Sequence, residues 1–208
     1  MASFDLQTEG QIKETAKRIF FQKGHIHATT IEIAKEAGIS RAMINYYFRR
    51  SNLLFEKVLQ EAITAKRQEL VDVFSSKKSL FAKVSEFIDI IIEQNIDYPY
   101  LQNFIVSELA KNPEKTIQLF PNDLKKLKIS ETIQYQIDQA IKSGLLYPIT
   151  VEDFMLNLMS LCNYPLVAKP LMQGLFTLSE DEYRSLLVRR KKVILQSIFN
   201  VATALSLD

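Results

Sequence analysis

Arg41, Met43, Asn45 and Tyr46 fall within six residues of one another, directly after Ser40. Their chemistry is that of base reading. A guanidinium can donate two parallel hydrogen bonds to guanine, and an asparagine amide can pair in the same bidentate way with adenine. Met43 and Tyr46 would face base edges beside them. Thr29, Thr30, Tyr47, Arg49 and Arg50 flank this group and carry hydroxyls or fixed positive charge, which suits phosphate oxygens and the setting of register. Such contacts work only if the residues project from a rigid element small enough to enter a groove.

The surrounding sequence supplies that element. Thr29 begins a short helix, with Glu32 at the capping-box spacing. Ile33, Ala34 and Ala37 give it a small apolar face. Gly38 stops it, because glycine tolerates the left-handed geometry that closes a helix. Ile39 is apolar inside the turn and can pin two helices together. Ser40 is a good N-cap for a second helix carrying Arg41, Ala42, Met43, Ile44, Asn45, Tyr46, Tyr47 and Phe48. Two helices joined by a short glycine-containing turn are the helix-turn-helix plan, whose second helix enters the DNA major groove. Ser40 and Ala42 at the start of that second helix join the expected DNA-facing set.

Charge agrees with this reading. From Ala37 to Phe55 there are three arginines and no Asp or Glu. Residues 1–66 hold 10 Lys+Arg and 7 Asp+Glu, a net of +3, and the remainder nets −1. The excess is small, but it sits where a phosphate backbone would lie.

The run Ala28, Thr29, Thr30, Ile33, Ala34, Ala37, Gly38, Ile39, Ser40, then Tyr46, Tyr47, Phe48, Arg49, resembles the DNA-binding domain of the TetR family of bacterial transcriptional repressors. Ala16, Ile19, Phe20 and Gly24 match that family's first helix and its terminating glycine. The likeness is strongest over residues 6–66. Two departures stand out. The middle of the second helix holds Ala42, Met43, Ile44 and Asn45, where the family often has a small residue, threonine, a bulky residue and tyrosine. Ser51 stands where a lysine is usual, which leaves phosphate anchoring there to Arg50. The resemblance implies an all-α fold of about nine helices. Residues 6–66 would be the helix-turn-helix DNA-binding domain, and 67–208 a helical effector-binding and dimerisation domain. It also implies a homodimer held by the last two helices, a palindromic operator, and release by a small apolar or amphipathic effector.

Composition bounds the alternatives. The chain has 208 residues, 47% hydrophobic and 24% charged, with 5 Gly and 6 Pro. That is ordinary soluble composition with little room for long loops. The single cysteine, Cys162, excludes an internal disulfide and fits a reducing cytoplasm. The N-terminus lacks a signal pattern. The longest uncharged run, Phe154–Ala168, is too short to span a bilayer and reads as a buried helix. His25 and His27, the only histidines, have no cysteine or paired carboxylate nearby to complete a metal site, so no metal or cofactor is expected. No phosphate-cradling glycine motif, nucleophile elbow or HExxH is present, which argues against an enzyme. A helical protein-interaction module that has lost DNA binding is the remaining alternative.

Hydrophobic periodicity and breakers set the expected helices. The first runs from about Thr8 to Lys23. A long helix follows from Ser51 to about Phe74 and links the two domains. Further helices are expected over about 80–96, 100–111 and 122–143, with a turn near 116–120. The eighth starts after Thr150 and is kinked or ended by Pro165. Pro170 and Gly174 predict an irregular connection. A last helix starts at Ser179, with Glu182 in a capping box, and reaches about Leu205. The eighth helix is apolar on nearly all sides, so it must be covered on more than one face. Phe87, Ile91, Phe104, Tyr135, Met155, Met159, Cys162 and Tyr164 are aromatic, branched or sulfur-bearing residues whose helices could enclose an effector pocket.

Overall fold

Apolar residues three and four apart give each segment one stripe to bury, and the structure buries them as helices. It is a computed structural model that describes residues 2–111, 114 and 129–200. The described residues contain no strand. In order they form α1 (Ala2–Lys17), a π-helical turn (Arg18–Gln22), α2 (Thr30–Ala37), α3 (Arg41–Phe48), α4 (Ser51–Ser75) and α5 (Leu80–Asp97). There follow α6 (Leu101–Lys111), α7 (Ile129–Lys142), α8 (Val151–Val167), α9 (Lys169–Phe176) and α10 (Glu180–Ile198). The turn expected near 116–120 and the start of the helix expected from 122 lie outside the described residues, as does the chain beyond 200.

The fold divides into two units, Met1–Lys66 with Asp97–Asn112, and Arg67–Ile96 with Pro113–Asp208. The break between 66 and 67 falls inside α4, which therefore runs through both. Residues 97–112 were expected in the second domain. In the structure they pack with the first unit, for reasons visible in side chains and backbone.

In the first unit, Ile12, Ala16 and Phe20 of α1 and its π turn are fully buried, as are Ile33 of α2, Ile44 of α3, and Leu54 and Val58 of α4. Gln11 ties α1 to the end of α2 by donating to the Ala37 carbonyl at 2.7 Å. The π turn changes the exit of α1. The Lys23 amide reaches back to the Arg18 carbonyl, and the Phe21 carbonyl is left to accept from the Tyr100 amide at 3.0 Å. Phe21 lies edge-on to Tyr98 and Phe55, and Phe55 lies edge-on to Phe104 at 5.4 Å. This aromatic cluster draws 97–112 onto the first unit. Gly24 closes the exit at φ +71°, and a Cβ there would meet the Tyr100 ring at 2.9 Å. Only glycine satisfies both demands.

The second unit has its own core. Val84, Ile88, Ile137, Leu158 and Phe74 are fully buried, with Phe87, Ile91, Phe154, Cys162, Tyr183, Leu187 and Ile194 around them. Lys83 sits among these with no exposed surface. Its ammonium donates to the Phe74 carbonyl at the end of α4 (2.9 Å) and to Gln136 Oε1 on α7 (3.0 Å). Gln136 Nε2 in turn donates to the Lys78 carbonyl in the α4–α5 connection. Burial pushes the Lys83 ammonium below its usual range.

Pro165 does not end α8, which continues to Val167. Proline removes the N–H that would bond the carbonyl four residues back. That carbonyl, Leu161, accepts instead from Arg190 Nη2 of α10 at 3.3 Å. The Pro165 carbonyl accepts from the buried Tyr183 hydroxyl at 2.6 Å. Burial raises the Tyr183 phenol to about 12, which keeps it a donor. The connection expected to be irregular is helical: Pro170 lies in the first turn of α9, where a missing N–H costs nothing. Gly174 is accommodated inside that helix. The last helix ends earlier than expected, because Phe199 is extended (φ −104°, ψ 148°) and turns its ring into the core beside Phe81 and Phe154.

Candidate nucleic-acid interface

The two helices of the motif are held by the groups their spacing implies. The Glu32 amide donates to Thr29 Oγ1 at 3.2 Å, and the Thr29 amide donates to the Glu32 carboxylate at 2.7 Å. These bonds hold the Glu32 carboxyl below its ordinary value. Gly38 closes α2 in the left-handed conformation, φ +66°. Ser40 is extended, and its hydroxyl accepts from the Met43 amide at 3.3 Å, opening α3. The third-residue amide at each of these helix starts, Glu32 in α2 and Met43 in α3, thus has a side-chain acceptor.

The α3 sequence then sorts by periodicity. Ile44 and Phe48, four apart, are buried against the unit's core. Arg41, Ala42, Asn45 and Tyr46 fall on the opposite side and are exposed. Arg41 and Asn45 are one turn apart, as are Ala42 and Tyr46, so two adjacent outward rows carry the base-reading chemistry. Tyr46 is 75% exposed and lies edge-on to Tyr47 at 5.1 Å. Met43 and Tyr47 are half-buried at the edge of this face.

α3 ends abruptly. Arg49 adopts φ +60°, ψ −48°, and the Arg50 amide turns back to the Phe48 carbonyl at 2.6 Å. This three-residue turn is disfavoured for a residue with a Cβ. It leaves both Arg49 and Arg50 exposed where α4 begins. Neighbouring acids are engaged elsewhere. Glu36 pairs with Lys23 at 2.9 Å, which holds its carboxyl below the usual range. Glu32 is spent in the capping box. The arginines therefore face solvent without a carboxylate between Ala37 and Phe55.

One expected phosphate contact is already committed. The Thr29 amide and hydroxyl both donate to Glu32 Oε2, at 2.7 and 2.8 Å. Thr30, half-buried in the first turn of α2, is the freer of the pair.

The eight residues expected around an effector do not come together. Phe87, Ile91 and Cys162 are buried in the second unit's core, and Met155 packs partly buried against it. Phe104 belongs to the first unit, against Phe21 and Phe55. Tyr135, Met159 and Tyr164 are exposed, at 64%, 42% and 59%. The reason is helix phase. Tyr135 sits midway between buried Ile133 and Ile137, and Met159 follows buried Leu158 by one residue, so each is rotated out of the core. An all-round apolar helix such as α8 gives the sequence no means of telling its two faces apart.

Sequence reasoning also passed over buried polar groups. Asn95 lies four residues after Ile91 on the buried stripe of α5 and is 6% exposed. Its neighbour Gln94 donates to Glu69 of α4, while Gln94 Oε1 is buried without a partner among the described residues. The signal was available: a polar residue in register with Phe87, Ile88 and Ile91.

A capped helix-turn-helix presenting an outward arginine, asparagine and tyrosine, in a chain with a second helical unit, defines a DNA-binding transcriptional regulator of the ligand-responsive kind. Residues 12–58 match the model of "Bacterial regulatory proteins, tetR family". The regulator RutR of Escherichia coli is 29% identical over 160 residues, 68% of this chain and 74% of its own. An uncharacterized HTH-type transcriptional regulator, YfiR of Bacillus subtilis, is 23% identical over 155 residues, 72% of this chain and 75% of its own. Among solved structures, a TetR-family regulator from Marinobacter aquaeolei shares the fold with a TM-score of 0.57 at 16% identity, over 96% of this chain and 99% of that one. The fatty acid degradation regulator FadR of Bacillus halodurans does so with a TM-score of 0.59 at 14% identity, over 89% and 93%. Over residues 12–58 the chain thus matches the TetR family of bacterial transcriptional regulators, and it shares the fold of solved members of that family.

Proposed function

We propose that this regulator is a cytoplasmic repressor that binds a palindromic operator as a homodimer and is released by a small apolar or amphipathic effector. The observation that carries the reading is the outward face of α3, where Arg41, Asn45 and Tyr46 are exposed on a helix whose other side is locked into the core. Arg41 and Asn45 read base edges, with Met43 and Tyr46 beside them and Ser40 and Ala42 at the point of entry. Thr30, Tyr47, Arg49 and Arg50 hold phosphates. Thr29 contributes by fixing the first turn of α2. Residues 6–66 form the DNA-binding domain, with 97–112 packed on it, and the rest of 67–208 binds effector and dimerises.

The effector enters the second unit where the apolar stripe of Phe87 and Ile91 meets Gln94 and Asn95. The unpartnered Gln94 oxygen favours a ligand that brings a donor to an otherwise apolar site. Binding shifts the regulator toward a state in which the two recognition helices no longer match grooves one turn apart, ~34–36 Å. It does so only through its difference in affinity for the two states.

Gel shift and fluorescence anisotropy test the reading. They use duplexes from the DNA flanking the coding region that contain inverted repeats, with scrambled duplexes as controls. The expected result is binding to one palindrome that weakens with salt and is lost in Arg41→Ala. Equal binding to every duplex, or to none, would refute it.

A further inference from the structure

The polar end of the α5 stripe carries an acceptor that the described residues do not satisfy. Phe87, Ile91 and Gln94 follow at steps of four and three residues, so they share one side of the helix. Phe87 and Ile91 are each 3% exposed. Gln94 Nε2 donates to Glu69 Oε2 of α4, within the same unit. An ionised carboxylate only accepts, so this bond fixes the amide with its nitrogen toward Glu69 and its oxygen turned away. That oxygen, Oε1, is buried and has no partner among the described residues. A buried carbonyl oxygen without a donor is uncommon, because it keeps the full penalty of leaving water.

Glu69 is equally short of positive charge. It is half-buried, and Gln94 Nε2 is its one hydrogen-bond donor among the described residues. Lys66, one turn before it on α4, donates to Gln102 at 2.6 Å. Arg67, two residues before it, leaves a different side of the helix. From Val84 to Asp97, α5 holds Glu86, Asp89, Glu93 and Asp97 and no Lys or Arg. Lys78 pairs with Glu86 and Lys191 with Asp89, both at 2.6 Å, while Glu93 beside Gln94 is exposed. Lys83, the cation of the same stripe, is engaged by the Phe74 carbonyl and Gln136. It also lies eleven residues before Gln94, about 16 Å along the helix at ~1.5 Å per residue.

We propose that the effector of this regulator is an amphipathic cation with N–H donors, a primary or secondary ammonium on an apolar tail. The ammonium is held between Glu69 and Gln94 Oε1, and the tail runs from there toward Ile91 and Phe87. The proposal deepens the effector reading above and rests on it. Water or an alcohol satisfies the oxygen alone. An ammonium satisfies the oxygen and the carboxylate together, with the stronger, charge-assisted bond. A fatty carboxylate brings neither donor nor positive charge and meets two acceptors.

Four probes with one tail length separate charge from donor: octylammonium, octyltrimethylammonium, octanol and octanoate. Isothermal calorimetry on the full chain reads their binding without an operator. At about pH 7, octylammonium is expected to bind saturably and at least ~10-fold more tightly than each of the others. Glu69→Gln keeps an acceptor for Gln94 Nε2 and removes the charge. It is expected to weaken octylammonium at least ~10-fold and to leave octanol unchanged, with wild-type circular dichroism. Gln94→Met removes the unpartnered oxygen, and octylammonium and octyltrimethylammonium are then expected to bind alike. Octanol or octanoate binding as tightly as octylammonium to the wild type overturns the proposal. An octylammonium affinity unchanged in Glu69→Gln, or no saturable binding of any probe, overturns it as well. Operator anisotropy keeps the two readings apart. A palindrome bound by a protein that takes none of the probes sinks the effector class alone. Octylammonium bound as expected, with no duplex bound, sinks the regulator reading and leaves the cation site standing.

Discussion

Lys83 offers the sharpest test of how the second unit is held together. It is a fully buried cation without a carboxylate partner among the described residues, donating to the Phe74 carbonyl and to Gln136. Truncation and neutralisation can be separated. Lys83→Ala removes three buried methylenes, about 2.4 kcal/mol at ~0.8 each. It also leaves the Phe74 carbonyl and Gln136 Oε1 without their donor. Lys83→Met keeps most of the apolar stem. It loses two charge-assisted hydrogen bonds of about 1.5–3 kcal/mol each, but no longer buries a charge, a penalty of several kcal/mol. The two nearly cancel, so Met is expected to lie within about 1.5 kcal/mol of wild type and Ala about 2–3 kcal/mol below Met. The pH dependence has a definite sign. The folded-state ammonium titrates below its unfolded value. Between the two values the unfolded chain binds more protons, so wild-type stability rises with pH there. Urea unfolding of both proteins at about pH 7 and about pH 10 should therefore show wild type gaining on Lys83→Met. Groups common to both cancel in that difference. An alanine variant as stable as the methionine variant, or a wild-type-minus-Met difference that does not move with pH, would refute the argument.

Gly24→Ala should destabilise the first unit by about 2 kcal/mol or more, because it combines left-handed strain with a Cβ 2.9 Å from the Tyr100 ring. A double-mutant cycle with Tyr100→Ala should recover the steric part alone. Arg190→Met should cost about 1–2 kcal/mol in chemical denaturation by leaving the Leu161 carbonyl unpaired. The cost should shrink in a Pro165→Ala background, where the restored amide can serve that carbonyl; equal costs in both backgrounds would show that the pairing is incidental. Arg49→Gly should raise thermal stability by about 1 kcal/mol, since glycine relieves the φ +60° turn. The same change should weaken operator binding and flatten its salt dependence, read by anisotropy at two or more salt concentrations.

Much of the first unit is local in origin, which is why it was legible. Thr29 with Glu32, Gly38, and Ser40 before Arg41 each act over three or four residues, and the structure forms the bonds their spacing implies. The outward set on α3 follows from the burial of Ile44 and Phe48 one turn apart. The same locality found the capping box of Ser179 with Glu182. Where expectation failed, the deciding partner was distant in sequence. Pro165 was read as a kink or an end, and the end did not occur because Arg190, which the sequence does not place there, takes up the carbonyl it frees. Pro170 and Gly174 were read as irregular because the support for α9 comes from Glu180 and Tyr183.

The amino-acid order thus determined the helices, their caps and the chemistry of the exposed face of α3, because a helix turn and a cap involve only near neighbours. Tertiary structure alone decided which side of each apolar helix became core. It put Phe104 in the aromatic cluster of the first unit, turned Tyr135, Met159 and Tyr164 outward, and enclosed Lys83 and Asn95. The reason is physical: burial depends on what packs from elsewhere in the chain, and an apolar stripe carries no mark of whether its cover is its own core or another molecule.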